Sequence, residues 1–302
     1  MFHRDSFIRI SLTLWIALGL SACASFFPPE PTASQTPQAT STPEPPTATP
    51  EPMALTVNGE GISVAAFDEE VTRYIAAQEA LENAVSSEEA AGAVIEDLVA
   101  QLLLAQAARA GGFTLDEAAL QARNDSLAAQ AGGAEALSQW RSDHGYTEQS
   151  FQAALKRAAE AAWMRDKIIQ AVPSTAEQVH SQQILLYNEA TAQSFLTRLN
   201  SGADFDELAR EADLLTRGDL GWVPRGYLLD PKIEQAAFGL AVGEHSAVIA
   251  TEVGFHIVRI LGREPDRPLS PDARLTLQEL ALQKWIEEQR QQATIVLAPQ
   301  KS

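Results

Sequence analysis

The 302-residue chain holds a single cysteine, Cys23. A lone thiol excludes an internal disulfide. Basic residues are scarce: 22 Lys and Arg face 40 Asp and Glu, for a formal net charge of −18. That sign argues against nucleic acid as a partner and mildly favours basic ones, and it says nothing about fold. Long apolar runs are lacking too. The run Leu12 to Leu20 falls far short of the roughly 20 residues that cross a bilayer, and no later segment reads as long and apolar enough, so no transmembrane helix is expected. The histidines lack metal-site spacing: His3 lies near the N-terminus, and His144, His180 and His245 fall at expected loops or element boundaries. No Ser-His-Asp or Cys-His order with supporting motifs occurs, nor a glycine loop that would cradle phosphate. Hydrolase and kinase chemistry are set aside, and neither metal nor cofactor is expected.

The first residues are not part of a fold. Arg4 and Arg9 precede the apolar run, which breaks at Ser21-Ala22-Cys23, the order of a signal peptide over residues 1–22. Leu20-Ser21-Ala22-Cys23 resembles the lipobox of bacterial lipoproteins. That resemblance implies a lipidated Cys23 and attachment to a membrane outside the cytoplasm, because two or more acyl chains anchor stably. The alternative is an ordinary secretory cleavage site with a small residue at Cys23. Residues 23–53 then read as a spacer. From Pro28 to Pro52 the chain is almost wholly Pro, Thr, Ser, Ala, Gln and Glu, which buries nothing and favours extended polyproline II.

Residues 54–173 read as a helical domain. Leu55 to Ile62 is a short alternating strand with glycine turn signals, and Ser63 is a plausible N-cap. Phe67, Val71, Tyr74 and Ile75 recur at helical spacing, as do Val94, Ile95, Leu98, Leu102 and Leu103 before Gly111-Gly112. Thr114 with Glu117 reads as a capping box, with helices over Leu115 to Ala131 and Thr147 to Gln170. The Val57-Asn58-Gly59 entry and the Phe67-Asp68-Glu69-Glu70 helix start resemble the N-terminal region of SurA- and PrsA-type foldases. That resemblance implies a chaperone-like domain.

The pattern changes after Pro173, where Ser174-Thr175-Ala176-Glu177 reads as a helix cap opening a second domain, residues 174–264. Gln182 to Leu186 is an expected strand and Glu189 to Leu199 an expected helix. Arg217-Gly218-Asp219-Leu220-Gly221-Trp222 brackets a leucine expected to be buried, and two closing strands are expected over Ala247 to Thr251 and Gly254 to Leu261. Gly202-Ala203-Asp204-Phe205, Gly218-Asp219-Leu220-Gly221-Trp222, Ala237-Phe238, Gly243-Glu244 and Gly254-Phe255-His256-Ile257-Val258 resemble the parvulin family in order and spacing. The fold expected is α+β: a helical chaperone-like domain, then a parvulin domain with a four-stranded antiparallel sheet and surrounding helices.

The resemblance implies peptidyl-prolyl isomerisation, and it implies site residues. His256 falls on the second central histidine and Thr251 on a hydroxyl position beside it. Leu220, Leu229 and Ile233 fall on the proline-binding wall, with Phe238 behind. Ordinary core packing is the competing reading for these four, and a buried structural histidine the competing reading for His256. Two departures stand out. Where the family usually has histidine before Ile-Leu on the first strand, this chain has Gln183. The loop before Gly218 is short, leaving Asp213 as the nearby acidic candidate.

Two functions follow. In one, the protein is an active isomerase that assists unfolded or partly folded secreted polypeptides containing X-Pro bonds. In the other, it is a holdase whose degenerate parvulin domain only binds peptide. Residues 265–302 form a tail, with a helix over Asp272 to Gln292 and a strand that could pair with Leu55 to Asn58. A helix capping the isomerase domain is the alternative for this tail.

Overall fold

The computed structural model describes residues 51–228 and 230–298. The signal-like segment, Cys23, most of the Pro/Thr-rich stretch and Leu229 lie outside the described residues.

The segment from Leu55 to Ile62 is a hairpin where a single strand was expected. β1 (Met53–Val57) and β2 (Glu60–Ser63) pair antiparallel around Asn58 and Gly59, whose φ angles are 52° and 85°. Asn-Gly tolerates this left-handed pair and so reverses the chain. Ser63 caps α1 (Val64–Ala80) by accepting a hydrogen bond from the Ala66 amide at 3.3 Å. Helix α2 (Ser87–Ala110) buries Val94, Leu98, Val99 and Leu102 against Leu55, Val57, Ile62 and Phe67. By length and hydropathy α2 could cross a membrane, which corrects the expectation that no such segment exists. Half of its apolar window is buried inside this domain, which accounts for its composition.

Helix α3 (Glu117–Ala131) starts later than expected. Asp116, not Thr114, is its cap, accepting from the Ala119 amide at 2.8 Å. A carboxylate is a strong N-cap acceptor and takes the position. The short α4 (Ala134–Asp143) follows, then α5 (Glu148–Gln170), whose Thr147 forms a capping box with Ser150. Helix α4 had no expectation because its apolar face is carried by few residues.

The second half is built on one strand, β3 (Thr175–Leu186). Its first residues are extended and do not form the expected helix cap. Glu177 spends its carboxylate on Arg225 at 3.1 Å and on Arg263 at 2.6 Å, rather than on its own backbone. This strand also places His180 mid-strand rather than at a boundary. After β3 come α6 (Glu189–Asn200), α7 (Phe205–Ala212), β4 (Asp219–Pro224), α8 (Pro231–Gly239), β5 (Ile249–Thr251) and β6 (Gly254–Pro268). The four strands form an antiparallel sheet ordered β4-β3-β6-β5. Strand β6 runs on past Leu261, pairing Arg267 and Pro268 with Ala176 and Thr175.

Side-chain alternation assigns the two faces. Ile184 and Ile257 pack with Phe195, Leu199, Phe205 and Leu208 of α6 and α7. On the other face, Val258 and Ile260 pack with Ile233, Ala237 and Phe238 of α8. The class is therefore α+β, with helices on both faces of an antiparallel sheet.

The tail returns. Helix α9 (Pro271–Gln292) lies against α5 and α2, with Gln278 donating to the Ile169 carbonyl at 3.3 Å and Arg290 paired with Glu96 at 2.5 Å. Strand β7 (Ile295–Leu297) pairs with β1 in the register Leu55 to Leu297 and Val57 to Ile295. The Asn58 amide donates to the Thr294 carbonyl at 2.8 Å, and the Asn58 side-chain oxygen accepts from the Thr294 amide at 2.9 Å. The N-terminal hairpin is thus completed by the end of the chain.

Candidate active site

His256 is the centre of a three-residue hydrogen-bonded line. Strand β6 puts it on the α8 face of the sheet, opposite Leu185 of β3 and Ile249 of β5, and it is 3% exposed. Its Nδ1 lies 2.8 Å from Gln183 Oε1, and its Nε2 lies 3.0 Å from Thr251 Oγ1. Gln183 sits opposite Val258 on β3, so it is a diagonal same-face neighbour of His256. Thr251 closes the tight β5–β6 turn, where its hydroxyl also meets the Gly254 carbonyl and the Val253 amide, each at 3.2 Å.

The proton inventory of this line follows from its chemistry. Burial lowers the His256 pKa, with the Asp230 carboxylate pulling it back up. The imidazole is therefore neutral at pH 7 and carries one ring proton. An amide oxygen only accepts, so with Gln183 Oε1 facing Nδ1 the ring proton sits there, and Nε2 is left as an acceptor that shares the single Thr251 hydroxyl proton with the Gly254 carbonyl. The result is an uncharged polar line beside the apolar cluster of the α8 face.

Gln183 is held from behind by a backbone that has no room for a side chain. Its amide donates to the Gly218 carbonyl at 2.8 Å. Gly218 has φ 67°, and a Cβ there would overlap the Gln183 carbonyl oxygen and stand 2.9 Å from its carbonyl carbon. The Arg217-Gly218-Asp219 turn therefore abuts the strand that carries Gln183.

The remaining candidates separate into groups. Ile233 and Phe238 lie in the packed cluster on the α8 face, at 8% and 7% exposure. The Arg225 guanidinium covers the Phe238 ring at 4.1 Å, and Arg263 donates to the Phe238 and Leu240 carbonyls at 3.0 and 2.9 Å. Leu220, on β4, is half-buried rather than buried. Leu229 lies outside the described residues. Asp213 ends α7 and does not reach His256: its Oδ1 accepts from the Leu215 and Thr216 amides at 2.9 and 3.2 Å, and its other oxygen accepts from the Thr216 hydroxyl. Hydrogen bonds from Thr216 and from these amides hold its carboxyl below the usual carboxylate range. Asp219 accepts from the Gly221 amide at 2.8 Å and bonds His180 at 2.9 Å.

Asp230 was not foreseen in the sequence. It caps α8, accepting from the Lys232 and Ile233 amides at 2.8 and 3.3 Å, and its charge is felt by His256. The signal was there in Asp230-Pro231, an N-cap followed by proline in the first helical turn. Among the described residues no group of His, Cys, Asp and Glu is arranged to hold a metal ion.

Residues 168–262 match the family model described as Rotamase, PPIC-type PPIASE domain. This segment is a parvulin-type domain. Its His256 line, its β4-β3-β6-β5 sheet and α8 all fall within the matched residues or at their edge. The foldase protein PrsA of Caldanaerobacter subterraneus subsp. tengcongensis is 38% identical over 91 residues, 28% of this chain and 29% of that protein. The chaperone SurA of Methylobacillus flagellatus is 34% identical over 144 residues, 41% of this chain and 33% of that protein. The chain spans about a third of the length of these curated relatives. A crystal structure of the peptidylprolyl isomerase PrsA from Bacillus anthracis aligns over 66% of this chain and 96% of that one, with 21% identity and a TM-score of 0.43.

Proposed function

We infer that this chain is a peptidyl-prolyl cis-trans isomerase that assists the folding of secreted or envelope polypeptides outside the cytoplasm. The observation that carries the reading is the neutral Gln183–His256–Thr251 line on the apolar α8 face of a PPIC-type domain. Rotation about an X-Pro bond faces a barrier of roughly 20 kcal/mol and takes tens of seconds unaided. It breaks no covalent bond and needs no nucleophile. It needs a site that favours the twisted imide, whose nitrogen has lost conjugation with its carbonyl. An apolar surface that removes water from the carbonyl, beside a polar line that does not have to reorganise, supplies that preference.

In this reading His256 positions the line, Gln183 and Thr251 fix its ring, and Leu220, Leu229 and Ile233 receive the proline ring, with Phe238 behind them. Gln183 stands where a second histidine is usual and meets the same need, because an imidazole kept neutral requires only an acceptor at Nδ1. Asp213 acts through the Leu215–Thr216 turn rather than on the imide.

The reading extends to the whole chain. Residues 54–173, with the returning tail 265–302, form a chaperone-like region for apolar stretches of client, and residues 174–264 form the isomerase domain. Relatives named foldase PrsA and chaperone SurA support this division. Lipid on Cys23 tethers the protein to a membrane, with residues 23–53 as spacer. Incorporation of labelled palmitate into the wild type and not into Cys23→Ser tests the anchor. The activity is tested on a reporter whose refolding is limited by proline isomerisation. Catalytic amounts of the full chain should speed the slow phase, and Ile233→Asp should not. A slow phase unchanged by folded wild type would leave only client holding.

A further inference from the structure

The loop between β4 and α8, residues 225–230, sets where the first turn of α8 stands beside the His256 line. Tyr227 and Leu228 pack against the cluster on the α8 face. Asp230 then caps the helix through the Lys232 and Ile233 amides. Lys232 donates from Nζ to the Ala250 carbonyl at 3.1 Å, one residue before the Thr251 whose hydroxyl meets His256. A shift of this loop would therefore carry Ile233 and the β5 edge of the site with it.

The loop turns on Gly226, at φ 85°, a residue whose backbone is free to adopt many conformations unless something holds it. From inside the domain, the Gly226 amide donates to Glu234 at 2.7 Å and the Tyr227 amide to the Pro224 carbonyl at 3.3 Å. The other side of the turn rests on the tail. A Cβ on Gly226 would stand 3.2 Å from Leu277 Cδ2 and 3.7 Å from Leu280 Cδ1, so two leucines of α9 fill the space a side chain would take. Helix α9 is fixed apart from this contact, against α5 and α2 and through the Gln278 bond to the Ile169 carbonyl. Leu280 stays 40% exposed, which makes the seat a rim contact and not part of a core. We propose that Leu277 and Leu280 are positioning residues for the isomerase site: seated on Gly226, they hold the β4–α8 loop and, through it, the first turn of α8 against β5. This rests on the isomerase reading of the His256 site. A wall that each client must order for itself gives up binding energy to that ordering, and the seat removes this loss.

The test compares the full chain with Leu277→Ser/Leu280→Ser and with Leu277→Met/Leu280→Met, which keeps apolar volume on the seat. Exchange NMR on short X-Pro peptides over a range of concentrations gives kcat and KM, and amide hydrogen exchange reads the loop itself. In the serine variant kcat/KM should fall about two- to thirtyfold, the range for contacts that act through others, with most of the loss in KM. The Gly226, Lys232 and Ile233 amides should exchange faster there, while the Val258 amide in the sheet keeps its rate. The methionine variant should restore both readings. Unchanged activity, a loss with the three amides still protected, or a loss that methionine does not repair overturns the proposal. If the wild type accelerates no peptide, the isomerase reading fails by itself and the amides decide the seat. Faster exchange at the three, reversed by methionine, retains it, and unchanged exchange overturns it. Should the serine double variant fail to fold, Leu280→Ser alone provides the same comparison.

Discussion

Gly218→Ala is the substitution for which the structure makes its sharpest statement. Two effects act at once. An alanine at φ 67° carries the left-handed penalty of about 1–2 kcal/mol for a residue with a Cβ. The methyl also meets the Gln183 backbone, whose carbonyl carbon and amide nitrogen would lie 2.9 and 3.3 Å away and whose carbonyl oxygen it would overlap. These atoms belong to the central strand of the sheet and cannot swing aside as a side-chain end would. Relieving them means parting the turn from β3, which breaks the Gln183-to-Gly218 hydrogen bond and adds about 1–3 kcal/mol of overpacking strain. The sum is about 2–5 kcal/mol, a large share of a typical domain's stability. Gly202→Ala is the matched control, because Gly202 has φ 94° and nothing within 4 Å of a Cβ, so only the backbone penalty applies. Urea unfolding of both variants should place Gly218→Ala about 1–3 kcal/mol below Gly202→Ala, and hydrogen exchange should show the Gln183 amide deprotected in Gly218→Ala alone. Equal destabilisation, with the Gln183 amide still protected, would refute the close approach on which the placement of Gln183 depends.

His256 should titrate below its ordinary value of 6.5 in an NMR pH series, because burial outweighs the Asp230 charge, and Gln183→Glu should raise it by setting a carboxylate against Nδ1. The unfolded chain then binds this proton more readily than the folded one. The associated stability is complete above about pH 6.5 and is lost as pH falls through the lowered folded value, so the acid-side decline in urea midpoint should be shallower in His256→Gln. Arg263→Ala should cost about 1–3 kcal/mol in thermal or urea unfolding, because it releases the Phe238 and Leu240 carbonyls at the end of α8. Asn58→Ala should cost about 2 kcal/mol, read from urea unfolding. The replacement keeps a left-handed φ with the wrong side chain and loses the bonds to Thr294 and Gln106.

The parvulin domain was legible because its glycines, its Phe205 and Phe238 anchors and its Gly254-to-Val258 strand sit at fixed spacings that local sequence records. The start of β3 was misread for an equally physical reason. Ser174 to Glu177 has the composition of a helix cap, and its pairing with Arg267 and Pro268 of β6, together with the Glu177 partners Arg225 and Arg263, makes it a strand. None of these partners is near in sequence. The Asn58-Gly59 turn was within reach of local rules and was still read as lying inside one strand, because Leu55 to Ile62 alternates through it. At the site, Gln183, Thr251 and His256 were each named from resemblance, and the structure brings Gln183 and Thr251 each within hydrogen-bonding distance of His256. Asp213 looked available for the same cluster because sequence gives separation along the chain and not direction. Its carboxylate is occupied by the turn that follows it. The influence of Asp230 on His256 is purely tertiary, and its helix-capping role was the only part that local sequence could reveal.

The most direct test of the central claim is cis-to-trans exchange in short X-Pro peptides, measured by exchange NMR with wild type and with a folded His256→Ala variant side by side. An isomerase built on the Gln183–His256–Thr251 line predicts exchange well above the buffer rate that falls sharply in the variant. Exchange at the buffer rate for every peptide with folded wild type, or acceleration equal in wild type and His256→Ala, would contradict it.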